Sequence, residues 1–137
     1  MHRGFLKAAA IFAILSVALG AFAAHGLKSL FSSGAVATFE TGVRYQFYHV
    51  FALFVTAIVY KEFASKLLIW AGRLFIAGIF LFSFSLYFLS IIQGMVLPGY
   101  KWVGAITPFG GMMFIIGWVL LLIAFFRKKY SDKLSLI

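Results

Sequence analysis

The chain has 137 residues, of which 64% are hydrophobic and only 11% charged, with a mean hydropathy of +1.08. A soluble chain is about one quarter charged, so this composition excludes a water-soluble domain and implies a membrane protein. Twelve Lys and Arg against three Asp and Glu give +9, but these charges sit in short clusters between long apolar runs, a poor match to nucleic-acid binding. With no cysteine there are no disulfides, thiolate metal sites or Cys nucleophiles, and three acidic residues leave little for hydrolase chemistry.

A bilayer core about 30 Å thick takes roughly 20 apolar residues of helix. Four runs of that kind, expected as helices at about 5–25, 41–60, 71–93 and 106–127, fill a single transmembrane domain over 1–137. The first lies between Lys7 and His25. From His25 to Glu40 runs the longest link, with Leu27–Phe31 expected as a short turn at the outer surface. The second run is cleanly apolar only from Val50 to Tyr60, so the polar stretch from Glu40 to His49 must occupy half of a spanning helix. Arg73 and Gln93 bound the third. Thr107 and Pro108 open the fourth, as N-cap and first-turn residue, and Arg127-Lys128-Lys129 close it.

The N-terminal stretch has the basic start, apolar core and A-x-A end of a secretory signal. Its apolar run of 17 residues exceeds the roughly 7–15 of a signal core, so it is read as a retained helix. Nine Lys and Arg (Arg3, Lys7, Lys61, Lys66, Arg73, Arg127, Lys128, Lys129 and Lys133) lie on the side of the termini, against Lys28, Arg44 and Lys101 on the other. The positive-inside rule therefore predicts both termini in the cytoplasm. Trp70, Tyr60 and Tyr130 on the inner side, and Tyr100 and Trp102 on the outer, fall at interfacial levels. Trp118 does not, and packs inside the bundle or faces acyl chains.

Helices in lipid associate through close packing of small residues, and Ala9, Ala13, Ser16, Gly20 and Ala24 form such a stripe on the first. Gly72, Gly78, Gly110, Gly111 and Gly117 offer similar approach points. Glycine is common in membrane helices and no phosphate-binding loop surrounds these, so they are read as structural. Short connections then predict an all-α fold, a membrane-spanning antiparallel four-helix bundle.

Ionisable groups at membrane depth are costly and mark candidate sites. On the second helix Gly42, Tyr45, Gln46 and His49 share one face, while Glu40, Arg44, Phe47 and Phe51 share the opposite one. Glu40 and Arg44 are spaced as an i,i+4 ion pair, and Arg44 can also reach outward to phosphates; a structural or headgroup anchor is favoured over a transport role. His49 lies about 12 Å below a boundary at Thr41, with Tyr87 at nearly the same depth. Ser83, Tyr87 and Ser90 share a face of the third helix, and His25 and Thr107 end their helices on the outer side. These residues predict an outer-half network in which Tyr45, Gln46 and His49 hydrogen-bond Ser83, Ser85 or Tyr87, so that His49→Leu weakens the bundle more than Ser65→Ala. A bis-His haem site fits poorly because His25 and His49 differ in depth. Zinc on His25, His49 and Glu40 is disfavoured because Glu40 and His49 face opposite ways. No cofactor is therefore expected, though a quinone pocket at His49 and Tyr87, lined by phenylalanine, is permitted. The only Asp, Asp132, is in the tail, so no Ser-His-Asp arrangement arises.

The stretches Gly20–Leu27 (GAFAAHGL), Phe39–His49 (FETGVRYQFYH), Leu81–Tyr87 (LFSFSLY) and Ile106–Gly111 (ITPFGG), followed by Gly117-Trp118, carry a resemblance over nearly the whole chain. In that order they resemble an uncharacterised family of small bacterial membrane proteins, the domain of unknown function four hundred and twenty-three, with relatives among eukaryotic small transmembrane proteins. Ala23 and Phe84 depart from it, standing where glycine is expected. The resemblance implies a multi-pass inner-membrane protein of four helices and brings no biochemical activity.

Three functions compete on this reading. The first is a non-enzymatic structural or accessory protein whose partners are the bilayer and another copy or membrane protein. The second is a small oligomeric transporter or channel lined by Glu40, Arg44 and His49. The third is a quinone- or lipid-binding protein using His49 and Tyr87, with no carboxylate on the His49 face for acid–base work.

Overall fold

The computed structural model describes residues 1–97 and 101–134, excepting the side chains of 101 and 128–134. It is an antiparallel bundle of four helices: α1 (Arg3–Leu30), α2 (Ser33–Glu62), α3 (Lys66–Gly94) and α4 (Lys101–Leu134). All four are long and apolar enough to cross a membrane, and the up-and-down order puts both termini at one end.

Each of the first three starts on a side-chain cap. His2 Nδ1 accepts from the Phe5 N–H at 3.2 Å, Ser32 Oγ from Ala35 at 3.4 Å and Ser65 Oγ from Leu67 at 3.0 Å. Such caps satisfy N–H groups that have no partner within the helix.

The cap at Ser32 changes the expected boundaries. The long link expected over 25–40 shrinks to Phe31 and Ser32, because Ala35, Val36 and Phe39 bury one side of what reads as a polar segment. Val36 and Phe39 pack with Ala23 and Leu27, so residues 27–30 are the last turn of α1 and not a separate surface turn. At 1.5 Å per residue the 30-residue α2 runs about 45 Å and outspans the hydrocarbon core. The third helix likewise starts at Lys66, before the expected 71.

The fourth helix departs most from expectation. It begins at Lys101, so Pro108 lies inside it and Thr107 is not its N-cap. Membrane helices tolerate an internal proline where neighbouring side chains re-satisfy freed backbone groups. The Thr107 hydroxyl is instead 2.8 Å from that of Ser85 on α3.

Packing sets the positions of the helices. α1 lies against α2 and α4 against α3, so α2 and α3 form the middle. Accordingly 44% and 39% of their spanning windows are buried, against 22% and 28% for α1 and α4. Glycines permit the tightest contacts. A Cβ on Gly72 would run into the Phe5 ring, and one on Gly110 into the Phe82 backbone nitrogen. The latter contact falls where α3 is wound wider, as π-helix, over Ile79–Phe84. A similar π turn occupies Ala23–Leu27 in α1.

Of the small-residue stripe, Ala9 and Ser16 are buried and Ala13 and Gly20 partly so, while Ala24 is exposed. Ala23, three residues beyond Gly20 on the same face, is fully buried although it stands where the resemblance leads one to expect glycine. Phe84, the other departure, is exposed on the outside of the bundle. Trp70 and Trp102 are exposed and Tyr60 is half-buried, edge-on to His2. Tyr100 and the Tyr130 side chain lie outside the described residues.

Candidate functional site

Ten residues were singled out by sequence, and the fold gathers six of them, Gln46, His49, Ser83, Ser85, Tyr87 and Thr107, in the middle of the bundle. Gln46 is completely buried at its centre. Its Nε2 donates to the Phe12 carbonyl of α1 at 3.0 Å, and its Oε1 accepts from the Tyr87 hydroxyl of α3 at 3.0 Å. One side chain thus ties three helices.

His49, one turn further along α2, makes two bonds of its own. Nδ1 is 2.7 Å from the Tyr45 carbonyl, and because a carbonyl can only accept, Nδ1 carries the proton. Nε2 is then free to accept from the Trp118 indole N–H of α4 at 3.3 Å. The imidazole also stacks on Phe114, with ring centroids 3.4 Å apart and planes within 7°. His49 therefore bonds α4, not the α3 hydroxyls expected for it.

The α3 hydroxyls find other partners. Ser85 bonds the Phe82 carbonyl at 2.9 Å and meets Thr107, and Ser90 donates to the Ala35 carbonyl of α2 at 2.6 Å. Ser83, expected in the network, is fully buried and its hydroxyl has no partner among the described residues. Close by, a Cβ on Gly42 would lie 2.7 Å from the Tyr87 ring and 3.0 Å from the Ser83 carbonyl, so α2 and α3 approach tightly there.

Four candidates stay outside this core. His25 is exposed at the far end of α1. Glu40 pairs with Lys28 of α1 at 3.7 Å, in place of the i,i+4 pair expected with Arg44, because α1 continues far enough to bring Lys28 alongside. Arg44 is exposed and makes no ion pair or hydrogen bond among the described residues. Tyr45 turns aside to pack on Phe82, with centroids 4.6 Å apart, and is 39% exposed.

The sequence-based site missed Phe12, Trp118 and Phe114. A carbonyl acceptor leaves no trace in a sequence, but Trp118 gave a signal: a tryptophan away from both interfaces needs an acceptor for its N–H. Beside it, Gly117 makes room for the Phe75 ring.

Chemically, this core is spent on itself. Both nitrogens of His49 and both ends of the Gln46 amide are bonded within the protein. Among the described residues no three His, Cys, Asp or Glu come together. One lateral groove of about 600 Å³ opens beside the core, with Tyr45, Tyr48, His49, Phe82, Phe114 and Trp118 around it.

Four membrane-competent helices around a polar centre define a small multi-pass membrane protein. A family described as protein of unknown function (DUF423) matches residues 19–111, and the chain belongs to that family. Its relatives are named as membrane proteins. The UPF0382 membrane protein YwdK of Bacillus subtilis (strain 168) is 43% identical over 121 residues, 88% of this chain and 94% of that one. UPF0382 membrane protein SAB0533 of Staphylococcus aureus (strain bovine RF122 / ET3-1) is 42% identical over 90% of this chain and 95% of its own. UPF0382 membrane protein SH2409 of Staphylococcus haemolyticus (strain JCSC1435) is 38% identical over the same shares. No solved structure matches the chain significantly.

Proposed function

We propose that the chain is a non-enzymatic structural or accessory protein of the bacterial inner membrane, with both termini in the cytoplasm. The observation that carries this reading is the bonding of Gln46, which joins α1, α2 and α3 and engages both the nitrogen and the oxygen of its amide inside the protein. In lipid a buried amide with both ends bonded fixes helix positions, because separation would expose groups that hydrocarbon cannot satisfy. The excess of Lys and Arg on the side of the termini supports the orientation.

A transporter or channel lined by Glu40, Arg44 and His49 draws less support. Glu40 and Arg44 lie off the face that holds His49, and Glu40 is engaged by Lys28. A quinone- or lipid-binding role is the stronger second reading, because the groove beside His49 is lined mostly by aromatic side chains, Tyr45 and Tyr48 among them.

Reconstitution into liposomes tests the proposal. Proton and solute flux is expected to match that of protein-free vesicles. Flux that His49→Ala abolishes would instead establish transport.

A further inference from the structure

We propose that the groove between α1 and α2 at Arg44 binds one anionic phospholipid of the leaflet opposite the termini. The site lies apart from Gln46, His49 and Tyr87, so this inference does not depend on the closed polar core.

The groove exists because small residues leave it open. A Cβ on Gly20 would touch only Val43, at an ordinary 3.5 Å, and a space of about 320 Å³ lies over this point. Ser16, Val43 and Phe47 line it further in, and Glu40 and Arg44 stand at its mouth. Ser16 turns its hydroxyl back onto the Phe12 carbonyl at 2.8 Å, which uses up its polar end. From Glu40 to Phe47 the groove follows α2 for about 10 Å, from the end opposite the termini toward the middle of the span.

Charge at the mouth selects the head of the occupant. Glu40 is paired with Lys28 at 3.7 Å, and Arg44, one turn deeper, has no ion pair or hydrogen bond among the described residues. Lys28 and Arg44 against Glu40 leave one positive charge. A guanidinium at the edge of the hydrocarbon is costly without an anion, and its fork of N–H donors matches two phosphate oxygens. A soluble phosphate would satisfy the charge and leave the apolar groove open to lipid. An anionic phospholipid satisfies both, with its phosphate on Arg44 and an acyl chain along Val43 and Phe47.

The test is native mass spectrometry of the full chain released from nanodiscs that hold phosphatidylglycerol and phosphatidylcholine in equal amounts. One retained phosphatidylglycerol is expected, favoured over phosphatidylcholine by about fivefold, the scale of one basic residue at an anionic surface. Arg44→Gln is expected to bring that preference close to one with an unchanged melting temperature, and Arg44→Lys to keep most of it. Gly20→Leu, which fills the groove, is expected to reduce retention of both lipids, and millimolar inorganic phosphate to displace neither. Equal preference in the wild type and Arg44→Gln overturns the proposal. So does displacement by inorganic phosphate, which would assign the site to a soluble anion. Either failure leaves the scaffold reading standing, because flux and the bonds of Gln46 are measured separately.

Discussion

Tyr87 of α3 donates its hydroxyl to Gln46 of α2 across 3.0 Å, and the same amide donates to the Phe12 carbonyl of α1 at 3.0 Å. Removing the amide cuts both links and leaves the Tyr87 hydroxyl buried without a partner. Hydrogen bonds between membrane helices are worth about 0.6 kcal/mol on average and up to about 1.7. Gln46→Leu is therefore expected to destabilise the bundle by about 1 to 3 kcal/mol, read as a lower melting temperature in mild detergent. Phe12 is less affected, because its carbonyl still accepts from Ser16 at 2.8 Å.

Adjacent glycines are expected to respond very unequally. A methyl at Gly110 meets the Phe82 backbone, which cannot move without shifting α3, whereas at Gly111 the nearest atom is a Phe82 ring carbon at 3.8 Å. Gly110→Ala is expected to cost about 2 kcal/mol or more and Gly111→Ala to be nearly silent. Equal melting temperatures for the two would contradict the close approach of α3 and α4.

Ser83 supplies a change of the other sign. Its hydroxyl is buried with no partner among the described residues, so Ser83→Ala removes a desolvated polar group and makes no new cavity of consequence. The variant is expected to be as stable as the wild type or more stable, by up to about 1 kcal/mol. A clear loss of stability would mean that Ser83 has a partner the fold does not show.

His49→Leu removes the Trp118 and Tyr45 bonds and the stack on Phe114, at an expected cost of about 1 to 2 kcal/mol. Ser65→Ala, the comparison suggested by the sequence, is not silent: Ser65 caps α3, and losing a cap costs about 1 kcal/mol. Gly104→Ala is the better control, since among the described residues nothing beyond its own turn of helix lies within 4 Å of the added methyl. Trp118 fluorescence, read with Trp70 and Trp102 replaced by Phe, is expected to shift in His49→Leu and not in Gly104→Ala.

The four spans were legible in the sequence because apolar runs bounded by charge are what a bilayer demands. Boundaries were not, and Ser33–Glu40 shows why. Its mixture of small and polar residues reads as a link, yet Ala35, Val36 and Phe39 are all buried, the last two against α1. Pro108 misled in the other direction: proline marks a first turn in water, but a bundle in lipid can hold it inside a helix. Gln46, His49 and Tyr87 were legible as a group, since polar residues at membrane depth must find partners. The partners themselves were not. Pairing His49 with Trp118 rather than Ser83 depends on the rotation of α4 and on the π turn at Ile79–Phe84, and neither follows from residue spacing.

The most direct test of a core closed on itself is a double-mutant cycle on Gln46→Leu and Tyr87→Phe, with unfolding followed in mild detergent. If the amide and the phenol bond each other, the two losses fail to add by about 0.6 to 1.7 kcal/mol. Losses that add fully would mean that Gln46 and Tyr87 act apart, and the polar centre would then be open to a ligand or a transported species.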